Sequence, residues 1–236
     1  MSMSSHSSYT GALSLKPAAL IAGAGLLIMM FCAPLAHFYF MPQSLVANDA
    51  AATVARLRTN GTPYIIGSLL LFLTYLMDIL VAWALYWYFR PGERPLSQLV
   101  AWARLVYTAL AFIGLWASIS AYDLAVSTKM TEQLTDSALA EAVSVQLSLA
   151  TTMEEMALFL FGLHLCLLSV LIWRCRYVAS WVSIPVGLAG LSYIVSYLAT
   201  YFAPESDVGS LLLLGIRELV FMVWLLAVGW RKQANP

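Results

Sequence analysis

Residues 63–89 read PYIIGSLLLFLTYLMDILVAWALYWYF, 27 residues in which Asp78 is the only charged side chain. At 1.5 Å per residue, a helix of this length reaches about 40 Å, which exceeds the roughly 30 Å hydrocarbon core of a bilayer. A charge near the middle of that core costs about 2.5 to 3.5 kcal/mol, so Asp78 needs a partner inside the protein. The stretch predicts a membrane-spanning helix that carries a polar group into a helical bundle.

Five more apolar stretches of this kind fill the rest of the chain. The six predicted spans are residues 17–40, 63–89, 98–122, 150–173, 180–202 and 208–230. Composition agrees, because 61% of the 236 residues are hydrophobic and only 10% are charged. We therefore predict an all-α, polytopic membrane bundle of six transmembrane helices. Residues 16–232 would form this single domain, and residues 1–15 would be a disordered cytoplasmic tail.

Lysine and arginine are distributed unevenly between the two sides of this topology. Seven fall on one side, namely Lys16, Arg90, Arg94, Arg174, Arg176, Arg231 and Lys232, and three fall on the other, namely Arg56, Arg58 and Lys129. Positive loops remain on the cytoplasmic side of a membrane. The bias predicts a multi-pass protein of a cell inner membrane with its N-terminus and C-terminus in the cytoplasm.

The loop between the third and fourth spans, residues 126–149, is the only one predicted to be long. Apolar residues recur at helical spacing between Asp136 and Ala150, which indicates that the fourth helix begins there, with Thr135 or Asp136 as its cap. A continuous helix to Trp173 would reach about 57 Å and would have to protrude or bend. The alternative is a separate amphipathic helix on the outer leaflet.

Seven ionisable residues in the predicted spans are our candidates for ligand binding or proton coupling. They are Asp78, Arg104, Glu154, Glu155, His164, Arg217 and Glu218. Intramembrane charges usually face one another, a ligand or a water-filled cavity, which is why we single them out.

Counting from the predicted helix ends gives each candidate a depth. Asp78 lies eleven residues from the inner end of its span, Arg104 six, His164 nine and Glu218 twelve. These four residues share the inner half and the middle of the membrane. Near the outer boundary, Glu154, Glu155 and His37, with Asp123 just beyond the third span, are predicted to form a second polar layer.

The helical angle predicts which side chains face inward. On the third span, one stripe contains Arg104, Thr108, Ala111, Leu115, Ser118 and Tyr122. This stripe is predicted to face the interior of the bundle. On the second span, Thr74 and Tyr75 lie one turn from Asp78 and could offer hydroxyl groups to its carboxyl group.

The candidate acids outnumber the candidate bases. Asp78, Glu154, Glu155 and Glu218 supply four carboxyl groups, whereas Arg104 and Arg217 supply two positive charges. Burial favours the neutral form of a carboxyl group, so we expect that at least one acid is protonated or that a cation or cationic ligand completes the set. The alternative is that the paired glutamates are hydrated at the rim and that Asp78–Arg104 and Arg217–Glu218 are ordinary ion pairs.

Neither a metal nor a cofactor is predicted. His37 and His164 stand alone at different depths, which argues against a bis-histidine haem and against zinc. Cys32, Cys166 and Cys175 form no C-x-x-C pair and are interpreted as small core residues. The formal net charge is zero, and without a basic stripe nucleic-acid binding is excluded.

Short groups of residues follow one another in a recognisable order along nearly the whole chain. They are Asp78 before Leu85 and Tyr86, then Ala103 and Arg104, then Phe161, Gly162, His164 and Leu165, then Ile184, Pro185 and Gly187, and finally Glu218 with Trp224, Leu225, Leu226 and Gly229. The order resembles a bacterial family of six-helix membrane proteins catalogued as domain of unknown function 4386. The resemblance implies the architecture and a role for these acid, arginine and histidine positions, but no reaction. It does not extend to Glu154, Glu155 or Arg217.

Three functions are compatible with a polar bundle interior. The first is binding or transport of a small amphiphile or cation, with proton coupling through the surplus acids. The second is an enzyme that acts on a lipid or isoprenoid, with Asp78 and Glu218 as acid and base and His164 assisting. The third is a structural or signalling subunit of a membrane complex. Membrane lipids are expected partners in each case, and association with further copies of the chain is left open.

Overall fold

The fold is described from a computed structural model of the chain. The structure describes residues 14–203 and 218–230. For Met130, Thr131 and Glu218 it describes the backbone only. Within these ranges all regular structure is helical. Residues 1–13 of the predicted tail, residues 208–217 of the predicted sixth span and residues 231–232 at the end of the predicted domain lie outside the described residues.

The described helices follow one another in the order that the apolar stretches predict, with two additions. They are α1 (Leu15–Pro34), α2 (Ala50–Thr59), α3 (Thr62–Phe89), α4 (Arg94–Val126), α5 (Thr128–Gln133), α6 (Asp136–Arg174), α7 (Ser183–Phe202) and α8 (Glu218–Trp230). A π-helical segment, Leu35–Phe40, and a 3-10 turn, Met41–Gln43, extend α1, and a second 3-10 turn, Ser180–Val182, precedes α7. The additions are the short helices α2 and α5.

Five described helical segments are long and apolar enough to cross a membrane. They are Leu15–Gln43, Thr62–Phe89, Arg94–Val126, Asp136–Arg174 and Ser180–Phe202. These segments confirm a helical membrane bundle and include the first five predicted spans. The described part of the sixth is α8, an apolar helix of 13 residues.

The surface of the bundle is apolar along its length and aromatic near its ends. Phe38 and Phe202 are each 84% exposed near one end, and Trp173 and Trp181 are 65% and 58% exposed near the other. Aromatic side chains of this kind collect at the two membrane–water interfaces. The distribution identifies the exposed leucines and isoleucines between them as the lipid-facing surface.

Close helix packing holds the bundle together, with α4 along α6, α6 against α7, and α1 against α3 and α8. Where α6 crosses α7, a Cβ atom on either Gly162 or Gly190 would lie 2.7 Å from the carbonyl oxygen of the other residue. Only glycine permits this approach of two backbones. Small residues drive helix association in membranes because van der Waals contact takes the place of the hydrophobic effect.

The α6 helix is continuous over its 39 residues, which makes it about 58 Å long. The hydroxyl oxygen of Thr135 caps it by accepting the amide N–H of Ala138 at 3.3 Å. A fourth helix that begins before residue 150 is thereby confirmed, and a separate amphipathic helix is wrong. The hydroxyls of Thr151 and Thr152 bond back to carbonyls in the preceding turn, so these polar residues do not break the helix.

The segment between α1 and α3 is also long, and the expectation that only the third loop would be long is wrong. It folds into α2, whose first turn is capped when the Asp49 carboxylate accepts the amide N–H of Ala52 at 2.8 Å. Val54 and Leu57 on α2 are buried in a second, smaller core, with Ala121 and Ala125 from α4 and Leu139 and Val143 from α6. We call this end of the bundle the α2 side.

Candidate functional site

Three helices bring Asp78, Arg104 and His164 to one depth. Asp78 lies eleven residues before the end of α3, Arg104 ten after the start of α4, and His164 ten before the end of α6. At 1.5 Å per residue, each lies about 15 to 17 Å from the end opposite the α2 side. The predicted depth of Arg104 was too shallow because α4 begins at Arg94, four residues before the predicted span. All three residues therefore lie near the middle of the membrane.

Arg104 and Asp78 form a buried ion pair. The Nε atom of Arg104 donates to Oδ1 of Asp78 at 3.0 Å, and Nη2 donates to the same oxygen. The Tyr107 hydroxyl is a further hydrogen-bond donor to the Asp78 carboxylate. Asp78 and Arg104 are each only 1% exposed. Because both charges are removed from water, each depends on the other for its stability.

His164 is the third member of this group, which we call the buried cluster, and it is fully buried. Its Nδ1 lies 2.9 Å from the carbonyl oxygen of Val100, which can only accept a hydrogen bond. Its Nε2 lies 3.3 Å from Nη1 of Arg104, which can only donate one. The imidazole must therefore carry its hydrogen on Nδ1 and be uncharged. The Nε2 atom of His164 therefore accepts a hydrogen bond from Arg104.

Aromatic rings and a thioether complete the surroundings of Arg104. Its guanidinium carbon lies 5.6 Å from the ring centre of Phe161 and 6.0 Å from that of Tyr107, distances at which cation–π attraction acts. Met29 of α1 places its sulfur 4.0 Å from Nη2. The Thr74 hydroxyl, which we expected to bond Asp78, instead donates to the carbonyl of Leu70. The described groups tie α1, α3, α4 and α6 together through one guanidinium.

The polar stripe predicted on the third span faces inward, which confirms that prediction. Arg104, Thr108, Ala111, Leu115 and Ser118 are all buried, and Tyr122 is partly buried. The Thr108 hydroxyl donates to the carbonyl of Arg104 at 2.8 Å, so its polarity is satisfied within the helix. The stripe runs from the buried cluster toward the α2 side.

A second polar region lies on the α2 side, where there is a cavity of about 800 Å³. It is lined by the extension of α1 and by residues of α2, α3, α4 and α6. We call it the α2-side cavity. Asp78, Arg104 and His164 are not among its lining residues. Its polar lining includes His37, Asp49, Tyr64, Tyr75, Ser118, Ser148 and Glu154, and its apolar lining includes Leu71, Leu115 and Leu147. The described bundle therefore has two separate polar regions.

His37 and Glu154 meet at the wall of this cavity, where Nε2 of His37 lies 3.1 Å from Oε1 of Glu154. Their side chains are 30% and 39% exposed, so both groups remain accessible. Glu154 lies twenty residues before the end of α6, about 30 Å along the axis, which is one hydrocarbon thickness. The pair is thus placed at the membrane–water interface and not at mid-depth.

Local backbone structure positions both members of the pair. Pro34 has no amide N–H to donate within the helix, and the π-helical segment that begins directly after it carries His37. On the other side, a Cβ atom at Gly114 of α4 would lie 3.2 Å from the carbonyl oxygen of Ala150 and 3.5 Å from the amide nitrogen of Glu154. The glycine lets α6 pack closely at the position where Glu154 enters the cavity.

Two tyrosines of α3 form much of the inner wall. The Tyr64 hydroxyl donates to the carbonyl of Ser118 at 3.1 Å, and its ring stacks on Tyr122. Tyr75 lies one turn from Asp78 and packs edge-on against Phe112. Tyr75 lines the cavity and is close enough for electrostatic interaction with both Glu154 at the cavity and Asp78 in the buried cluster.

The structure thus divides the seven candidate residues. Asp78, Arg104 and His164 come together, Glu154 joins His37, and Glu155 lies toward α7, close enough to Tyr197 for electrostatic interaction. Arg217 and the Glu218 side chain lie outside the described residues.

The pattern of charges did not single out Tyr107 or Tyr64. A signal for Tyr107 was present, because it lies three residues after Arg104 on the same helical face.

The described residues include no group of three or more His, Cys, Asp or Glu side chains that could hold a metal ion. Cys32, Cys166 and Cys175 are free, and Cys175 is buried in the connection after α6. Burial raises the pKa of the Cys175 thiol, which keeps it protonated and unreactive. The interpretation of the cysteines as core residues agrees with this placement for Cys175.

Long apolar helices around a buried ion pair define a multi-pass membrane protein. The chain belongs to the family described as domain of unknown function DUF4386, whose family model matches residues 21–229. This match confirms the family resemblance. The chain is also similar to an uncharacterized protein of the archaeon Archaeoglobus fulgidus, with 25% identity over 170 residues, 72% of this chain and 88% of that protein. No solved structure matches the chain.

Proposed function

We propose that this membrane protein binds a small amphiphile or cation in the α2-side cavity. The observation that carries the proposal is the cavity itself, whose volume of about 800 Å³ lies within the range of about 300 to 1,000 Å³ typical of small-molecule sites. Its apolar side chains would hold the body of the ligand. Glu154, His37 and the two tyrosines would supply the few polar contacts that orient it.

The position of the cavity also supports an amphiphilic ligand. Glu154 lies near the membrane–water interface, whereas Leu71 and Leu115 extend the lining toward the middle of the bundle. A molecule with a polar head and an apolar body would match this gradient. The α2 helix is fixed by its own small core, so the wall that it forms is present before a ligand arrives.

For the buried cluster we propose a structural role. Asp78 is held by Arg104 and Tyr107, and none of the cluster residues reaches the cavity. A carboxyl group enclosed in this way is a poor candidate for acid–base chemistry on a lipid or isoprenoid, which lowers the support for an enzyme. The cluster instead supplies polar contacts that specify how α3, α4 and α6 pack.

We also propose the orientation that the lysine and arginine distribution predicts. Both termini would lie on the cytoplasmic side of a bacterial inner membrane, and the α2-side cavity would then face the periplasm. Surrounding lipids would contact the exposed apolar surface, and further copies of the chain could pack there as well. A ligand would reach the site from the outer interface.

A tryptophan at Ser148 tests the binding proposal. Ser148 is exposed and lines the cavity, so Ser148→Trp should occupy part of the cavity without disturbing the core. We expect it to weaken binding of a small probe, either benzyl alcohol or benzyltrimethylammonium, at least tenfold, which is about 1.4 kcal/mol. Calorimetry on protein in lipid nanodiscs would measure the affinity, with empty nanodiscs as the blank.

The matched control is Val145→Trp on the same helix, at a residue that is 60% exposed and does not line the cavity. This variant should bind both probes as the wild type does. Equal affinity in Ser148→Trp and Val145→Trp would contradict the proposed location of the site. If the wild type binds neither of the two probes, the proposed function is contradicted.

A further inference from the structure

We infer that the ligand is an organic cation that displaces His37 from the Glu154 carboxylate. Binding of the cation thereby releases a proton from the protein. This inference rests on the proposed function, because it specifies the ligand of the same cavity. The step conserves charge: a cation replaces the proton of the imidazolium beside the same carboxylate. The site would thereby exchange an organic cation for a proton.

The charges that line the cavity favour a cation. Its lining, taken from the described part of the chain, contains the acids Asp49 and Glu154 and neither lysine nor arginine. Asp49 is already engaged as the cap of α2. The Glu154 carboxylate is therefore the group that remains to meet a ligand, and it selects positive charge. An anionic head group would find no positive partner there other than His37.

The tyrosines add a second reason to favour an organic cation over a metal ion. Tyr64 and Tyr75 bring aromatic rings to the same cavity as Glu154. A substituted ammonium group is attracted to an aromatic face within about 6 Å of the ring centre, and its alkyl groups pack on apolar walls. A small metal ion would need several oxygen or nitrogen ligands in a fixed geometry. The carboxylate and the rings together match an alkylammonium group.

His37 is positioned to compete with such a ligand. A carboxylate only accepts hydrogen bonds, so the contact between Nε2 of His37 and Oε1 of Glu154 requires a hydrogen on Nε2. When a cation occupies the carboxylate, an imidazolium loses its counter-charge and gains a like charge nearby. Both changes favour its neutral form. Arrival of the cation therefore favours loss of the proton from His37.

The other titratable groups around His37 do not provide this exchange. The segment before α2 contributes Asp49, α3 contributes Tyr64 and Tyr75, and α6 contributes Glu154. The described lining from α4 contains no titratable side chain. Tyrosine is not charged near neutral pH, and the acids attract a cation. His37 is the group whose positive charge the ligand must displace.

Calorimetry in two buffers tests the exchange. Benzyltrimethylammonium would be titrated into protein in nanodiscs at about pH 6, where a free imidazole is largely protonated, in phosphate and in MES, which differ in their heats of protonation. A released proton adds the heat of buffer protonation, so the two buffers should give different heats. We expect a release that approaches one proton per bound cation, and an affinity that falls up to tenfold for each unit by which the pH is lowered.

His37→Asn is the variant that isolates the imidazole. In this variant we expect equal heats in the two buffers and an affinity that no longer changes with pH in this range, with the unfolding temperature checked alongside. Equal heats in the wild type, or an unchanged pH dependence in folded His37→Asn, would overturn the inference. If benzyl alcohol binds and benzyltrimethylammonium does not, the cation assignment fails while the proposed function stands. If neither probe binds, the proposed function fails too.

Discussion

Arg104→Met is expected to destabilise the folded protein by about 3 to 5 kcal/mol, because it leaves the Asp78 carboxylate without its counter-charge in the middle of the membrane. Few single substitutions have an effect of this size. Part of the loss would come from His164, whose Nε2 would lose its donor. Thermal and denaturant unfolding of the purified protein in detergent would measure the difference.

Two further variants separate the buried charge from other causes. Arg174→Met removes an exposed arginine whose contact with Glu93 is 4.0 Å, and it should cost less than about 1 kcal/mol. The double variant Asp78→Leu/Arg104→Met removes both charges and should recover most of the loss, since a buried pair can often be replaced by apolar residues. A double variant as unstable as Arg104→Met would show that the unpaired charge is not the cause.

Glu154→Gln is expected to weaken binding of benzyltrimethylammonium at least tenfold while leaving the unfolding temperature nearly unchanged. The carboxylate is the charged contact that we assign to the ligand, and its side chain is 39% exposed, so the fold does not depend on it. Binding of uncharged benzyl alcohol should change little. Calorimetry in nanodiscs at about pH 7.5, where a free imidazole is largely neutral, would measure both probes.

The neighbouring residue provides the control for this prediction. Glu155→Gln removes the same charge from the same helix, but Glu155 does not line the cavity. It should bind benzyltrimethylammonium as the wild type does. If the two glutamine variants lose affinity equally, the effect comes from the overall charge of the α2 side, and the assignment of Glu154 as the ligand contact is wrong.

The bundle and its buried cluster were accessible from the sequence because the membrane leaves few choices. An apolar run that contains Asp78 must be helical in lipid, and its charge must find a partner at a similar depth. Arg104, His164 and Glu218 were the residues on other spans that were assigned to a similar depth, and the structure brings the first two together with Asp78. The inward face of the stripe that begins at Arg104 followed from helical periodicity alone.

The α2-side cavity could not be predicted, because it depends on how separate segments pack. Glu154 and Glu155 are the same residue type in sequence, and only the rotation of α6 against α4 decides which enters the cavity. The apolar face of α2 is short, with Val54 and Leu57 buried by residues of α4 and α6 that are distant in sequence. The spacing of its apolar residues alone does not distinguish α2 from a loop. His37 was assigned to the outer layer, but nothing in the sequence paired it with Glu154.

The central claim is that the intramembrane charges perform two separate tasks, with the buried cluster specifying the fold and the α2-side cavity binding the ligand. The affinity of Asp78→Leu/Arg104→Met for benzyltrimethylammonium in nanodiscs tests this claim most directly. We predict an affinity within about threefold of the wild type, which is less than about 0.7 kcal/mol. Loss of binding in a double variant that remains folded would show that the cluster and the cavity form one site, and would contradict the account.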